Sequence, residues 1–132
     1  MSKVSFFSKV IFSIFFLFSL NAQANLMSDC NATAAEINKS VPQKIDKVTT
    51  LLNSICTNDT GAVTLVYRNK LDVASGSVKQ EQISSLKPGM INTLCTDPSL
   101  RVLINTFNVR YTYSDSSGRF IGQVDLNKKE CR

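Results

Sequence analysis

Four cysteines, a scatter of aspartates and a few basic residues are the side chains that could do chemistry, and the chain has no histidine to work beside them. Without histidine there is no Ser/His/Asp or Cys/His nucleophile, no imidazole metal ligand and no imidazole pH switch. Cys30, Cys56, Cys95 and Cys131 are spread along the chain. A four-cysteine zinc site pairs its ligands two to four residues apart, so this spacing does not suit one. A catalytic thiol needs an activating partner that the composition withholds. Paired carboxylates can act as acid and base, and Asp46, Asp72, Asp97, Asp115 and Asp125 are available. Each of them, however, sits where a turn, a helix cap or a solvent-facing strand position explains it. The densest polar cluster, Asn92, Thr93, Thr96 and Asp97 beside Cys95, reads as a helix end followed by a restart at Pro98. Five scattered glycines make no phosphate-cradling loop. The expectation is no catalytic residue, no cofactor and no metal.

Residues 1–24 read as an export address. Lys3 and Lys9 supply a positive start, residues 10–20 are almost unbroken apolar, and Ala22-Gln23-Ala24 offers a small-x-small cleavage site. The apolar run falls well short of the roughly 20 residues that span a bilayer as a helix. Asp29, immediately before Cys30, stands where lipidation would want a small residue, so a lipid anchor is not expected. Cleavage of 24 residues from 132 leaves 108, and the two lysines that depart reduce 15 basic residues to 13 against 10 acidic. The remaining 25–132 forms one domain of modest core. Export also carries all four cysteines to an oxidising compartment, where two disulfides are expected. Three connectivities are possible. Cys30–Cys56 with Cys95–Cys131 is preferred, because each would tie a helix to a nearby strand end and stabilise the fold by roughly 2–4 kcal/mol.

Thr33-Ala34-Ala35-Glu36 has the form of a capping box, with Ala34, Ile37 and Val41 on one face of a short helix that Pro42 ends. From Lys47 the chain turns β-branched, and Thr57-Asn58-Asp59-Thr60-Gly61 is a turn before a strand over residues 62–73. Residues 79–87 suit a polar helical turn. Pro88 starts a helix carrying Met90, Ile91 and Leu94 inward, and Asp97-Pro98 starts another with the stripe Leu100, Leu103, Ile104 and Phe107. Residues 108–114 and 119–126 alternate around the turn Asp115-Ser116-Ser117-Gly118, with Phe120, Val124 and Leu126 on one face. The expected fold is α+β: an antiparallel sheet of two β-hairpins, about four strands, with helices on one face, in the order α-β-β-α-α-β-β.

Alternation places Arg68 and Arg110 opposite the apolar positions of their strands, so Arg68, Lys70, Arg110 and Arg119 can share the solvent face. Such a face suits a protein or an anionic envelope component. The small basic excess is weak for nucleic acid.

Several strings resemble a family of small exported bacterial proteins, the quorum-sensing-regulated virulence factor family. They are Asn38-Lys39-Ser40-Val41-Pro42, Asp46 ahead of Thr49 and Thr50, Thr64-Leu65-Val66-Tyr67, Asn92-Thr93-Leu94-Cys95-Thr96-Asp97-Pro98, Tyr111-Thr112-Tyr113 and Asp115 to Gly118. That resemblance implies an exported α+β domain with a bridge of the Cys95–Cys131 type, and it supplies no catalytic residue. The order of elements is also similar to that of type II secretion pilotins, which are usually lipid-anchored. The functional expectation is an exported, periplasmic or secreted, non-enzymatic binding or interaction protein, associated with virulence if the family resemblance holds. The alternatives are an envelope assembly factor of pilotin-like type or an inhibitor of an envelope hydrolase, and, behind them, a carboxylate-based hydrolase.

Overall fold

The structure, a computed structural model, describes residues 25–59 and 61–131. The expected export segment lies outside the described residues. The chain runs α1 (Leu26–Asn38), β1 (Gln43–Lys44), β2 (Thr49–Thr57), β3 (Thr64–Leu71), α2 (Gln80–Ser84), α3 (Lys87–Thr96), α4 (Pro98–Thr106), β4 (Asn108–Ser114), β5 (Phe120–Leu126) and a 3₁₀ turn at Lys128–Glu130. The five strands form one sheet in sequence order.

The α+β class and the helix-covered sheet agree with the sequence pattern, while the strand count and order differ in two ways. Beyond the two hairpins there is a two-residue strand, β1, which pairs Gln43 with Leu51 and Lys44 with Thr50. The hairpins also meet through a parallel pair, Leu65 beside Val109 and Tyr67 beside Tyr111. The sheet is therefore mixed rather than antiparallel throughout. The long helical connection over residues 72–107 returns the chain to the end of the sheet where β3 began, and a crossover of that kind produces a parallel neighbour.

One face of the sheet carries the core. Leu51, Leu65, Tyr67, Leu71, Val109, Tyr113, Val124 and Leu126 pack there against Cys30, Ala34 and Ile37 of α1, Ile83 of α2, Leu94 of α3 and the α4 stripe Leu100, Leu103 and Ile104. Helix α4 starts as its sequence indicates: Asp97 accepts from the Ser99 and Leu100 amides at 3.0 and 3.2 Å, and Pro98 occupies its first turn. The start of α1 departs from expectation. Thr33 is not a cap but lies inside the helix, with Oγ1 donating to the Asp29 carbonyl at 3.0 Å. A Thr-x-x-Glu string marks a helix start only when the preceding residues are not helical, and here Leu26 to Ala32 continue the turn upstream.

Both disulfides form as preferred. Cys30 of α1 joins Cys56 of β2 with Cα atoms 6.1 Å apart, and Cys95 of α3 joins Cys131 at 5.4 Å. The second bridge and the Lys87–Glu130 ion pair at 2.8 Å fasten the segment after β5 to α3. Among the described residues no helix is long and apolar enough to cross a membrane.

Candidate functional site

With the helices on one face, the other face of the sheet is open, and register places its side chains in rows. At one end Lys44, Thr50, Lys70, Ser114 and Phe120 lie opposite one another across all five strands. The next row holds Asn53, Arg68, Thr112 and Gln123, and the next Ile55, Val66, Arg110 and Asp125. Directly paired residues point to the same side of a sheet, so these rows define the surface.

Of the four basic residues singled out in the sequence, Arg68, Lys70 and Arg110 share this face, and they differ in charge balance. Arg110 donates through Nε to Asp125 at 2.6 Å and through Nη1 to Asp59 at 3.4 Å, and its side chain retains only 15% of its exposure. The Asp125 hydrogen bond, opposed in part by burial, raises the guanidinium pKa above its ordinary value. Two carboxylates on one guanidinium leave that end of the face net negative. Arg68 donates to the neutral Asn53 side chain at 3.1 Å, a partner that offsets none of its charge. Arg119 is not on a strand but in the β4–β5 turn, exposed and adjoining Phe120.

The aspartates take the structural positions their contexts indicate. Asp46 accepts from the Val48 and Thr49 amides at 3.0 and 2.9 Å, Asp72 from the Ser116 hydroxyl at 3.3 Å, and Asp97 caps α4. Asp115 is 1% exposed. Its Oδ1 accepts from the Ser117 amide at 2.9 Å, the Ser117 hydroxyl at 2.6 Å and the Arg119 amide at 3.0 Å, while Oδ2 accepts from Ser75 at 2.9 Å. Led by the Ser117 hydroxyl, these donors hold its carboxyl at about 2, burial pulling the other way. It staples the β4–β5 turn to the loop after β3. The cluster beside Cys95 is a helix end: Thr96 donates to the Asn92 carbonyl at 2.7 Å and Arg101 to the Cys95 carbonyl at 3.2 Å.

Three tyrosines cross the covered face. Tyr67 and Tyr111 stack with centroids 5.1 Å apart and planes 14° from parallel. Burial raises both phenol pKa values well above ordinary, and burial with the nearby Asp46 charge lifts Tyr113 to about 12. These rings stay neutral and serve as packing.

No family model and no curated protein matches the chain in sequence. Solved structures do match in fold. The pilotin EpsS of the Vibrio vulnificus type 2 secretion system superposes with TM-score 0.66 at 13% identity, over 83% of this chain and 94% of that one. The type II secretion pilotin AspS of Vibrio cholerae gives 0.60 at 14% identity, over 83% and 94%. A protein of Pseudomonas aeruginosa described as secreted gives 0.67 at 12%, over 83% and 95%. The fold is pilotin-like. At these identities the likeness is one of architecture, and it carries over no residue.

Sequence reasoning missed two members of the open face. Lys44 reaches it through a strand too short to show a period-two pattern. Alternation puts Phe120 on one face with Val124 and Leu126, yet it is 59% exposed while they are buried. The ladder slips between Tyr113 and Ser114: Tyr113 pairs Gly122, but Ser114 pairs Phe120. Ile121 is the extra residue, and one extra residue turns the side chain beyond it to the opposite face. The adjoining tight turn, with Gly118 at φ +90°, was the only local signal.

Proposed function

We propose that this chain is a pilotin-like envelope assembly factor, an exported non-enzymatic protein that binds a component of a type II secretion system. The observation that carries this reading is the shared architecture with two pilotins over 83% of the chain. A histidine-free composition, and aspartates committed to caps, turns and an ion pair, support a binding role over a catalytic one. Residues 1–24 serve as the export signal, so the processed protein begins at Asn25, which N-terminal sequencing reads directly. The virulence association implied by the sequence resemblance rests on that resemblance, and it is compatible with an assembly role in secretion. Deleting the gene should mislocalise a type II secretion component in fractionated cells, with recovery on re-expression. Unchanged localisation and unchanged secretion in the deletion strain would overturn the reading.

A further inference from the structure

The two ends of the open face differ in charge. At the Arg110 end Asp59 and Asp125 outnumber the single cation. At the other end stand Lys44 and Lys70 in one row, Arg68 in the next and Arg119 in the adjoining turn. The carboxylates near that end, Asp46, Asp72 and the 1% exposed Asp115, accept hydrogen bonds from turn amides and from the Ser116, Ser117 and Ser75 hydroxyls, and they stand as three against these four cations. Lys44, Lys70 and Arg119 enter no ion pair among the described residues. Into this cationic end the Ile121 bulge delivers Phe120, the most exposed large apolar side chain described, and Val48, 46% exposed, stands at the same end beyond β2.

From this juxtaposition we infer that the cationic end of the open face docks peripherally on an anionic lipid surface, with Phe120 entering the interface. Register sets Lys44 and Lys70 on strands two apart with Thr50 between them, Arg68 one row along β3 from Lys70, and Ser114 between Lys70 and Phe120. Side chains spread in this way do not converge on one phosphate or one carboxylate. They match a plane of many anionic headgroups, to which each basic residue adds an increment. An exposed ring beside cations is the arrangement that interfacial binding uses, the ring at the acyl boundary and the charges among the headgroups. A bulge that turns an apolar residue out of the core forgoes the burial that plain alternation would have given it, which needs a compensating use. The inference is independent of the assembly-factor reading.

The test is flotation of the protein, purified as the cell processes it, with vesicles of phosphatidylcholine alone or with roughly a third phosphatidylglycerol. Binding is expected only with phosphatidylglycerol, and it should fall steeply as salt rises from about 0.05 to about 0.5 M. Each reversal in Lys44→Glu and Lys70→Glu should reduce partitioning about fivefold, or about twentyfold together. Phe120→Ser should reduce it about tenfold. The Lys128→Glu, Lys129→Glu pair makes the same change in net charge on the 3₁₀ turn and should stay within about twofold of wild type. Should the Lys44/Lys70 pair fail to fold in a thermal scan, Arg119→Glu, in an exposed turn, replaces it. No flotation, equal flotation on neutral vesicles, or equal loss in the Lys128/Lys129 control each overturns the inference. So does capture of polyglutamate through Lys44 and Lys70 without vesicle binding, which would make the occupant an acidic polypeptide.

Discussion

Asn38, the last residue of α1, does the work of a missing strand. Its side-chain amide donates to the Ser54 carbonyl at 2.9 Å, and its side-chain oxygen accepts from the Ser54 amide at 2.7 Å. That two-way exchange is the pattern of a hydrogen-bonded antiparallel pair. It falls on the outer edge of β2 beyond Gln43, before β1 begins. In Asn38→Ala both bonds are lost. Each contributes about 0.5–1.5 kcal/mol net, and water can replace them partly at this exposed helix end, so the expected loss is about 1–2 kcal/mol. For a domain of this size that lowers Tm by roughly 4–10 °C. The Ser54 edge, next to the 44% exposed Ile55, then becomes a template for strand pairing, and concentration-dependent association should appear in sedimentation. Asn38→Asp sharpens the test. An ionised carboxylate can still accept from the Ser54 amide, but it cannot donate to the carbonyl, and it places negative charge at a helix C-terminus. The aspartate should therefore cost more than alanine at neutral pH. Its folded pKa is raised above the unfolded value, so the variant gains stability as pH falls through that raised value and the carboxyl recovers a donor. Urea unfolding across pH reads this out. An Asn38→Ala protein within about 0.3 kcal/mol of wild type, or an aspartate variant less costly than alanine at pH 7, would refute the edge-closing role.

Asp115 predicts a specific acid response. Its folded carboxyl, at about 2, lies below the ordinary 3.8, so its contribution is complete above the ordinary value and is lost as pH falls towards 2. The stability difference between wild type and Asp115→Asn, followed by urea unfolding, should shrink across that window and stay constant above it. In the core, Leu103→Ala, at a side chain 2% exposed, should cost about 3 kcal/mol in denaturant unfolding. Leu86→Ala, at 43% exposure, should cost less than about 0.5 kcal/mol. Replacing either cysteine pair with serine should lower stability by about 3–4 kcal/mol, for loops of 26 and 36 residues, as measured by thermal and urea unfolding.

The parts of the fold legible in the sequence are those set by local chemistry. Asp97-Pro98 starts a helix because both cap and ring satisfy demands within one turn, and the stripe from Leu100 to Phe107 is buried as its spacing implies. The preferred disulfide pairing is also the one that forms, although Cys131 follows the 3₁₀ turn rather than a strand end. What was not legible depends on partners distant in sequence. The parallel meeting of β3 and β4 is decided by where the helical connection ends, not by the pattern of either strand. The Ile121 bulge leaves the alternation of residues 120–126 intact, so Phe120 reads as core until the register with β4 is known. The Asn38–Ser54 exchange spans sixteen residues and two element types, and no propensity encodes it. For the candidate face, residue type gave Arg68 and Lys70 their place, whereas Arg110 and Phe120 changed meaning through contacts that only the fold supplies.

Charge placement, rather than net charge, decides what the open face can meet. Four basic residues read as one patch would make the whole sheet surface positive. Arg110, however, is balanced twice over by Asp125 and Asp59, and it serves to hold the β2–β3 turn against β5. The positive character that remains gathers at the opposite end, where Lys44 joins through the short β1 and Phe120 through a bulge. Because the other face is filled by core and helices, and both disulfides brace the helical layer, a ligand on the open face cannot act by loosening the helices without breaking the best-packed part of the molecule.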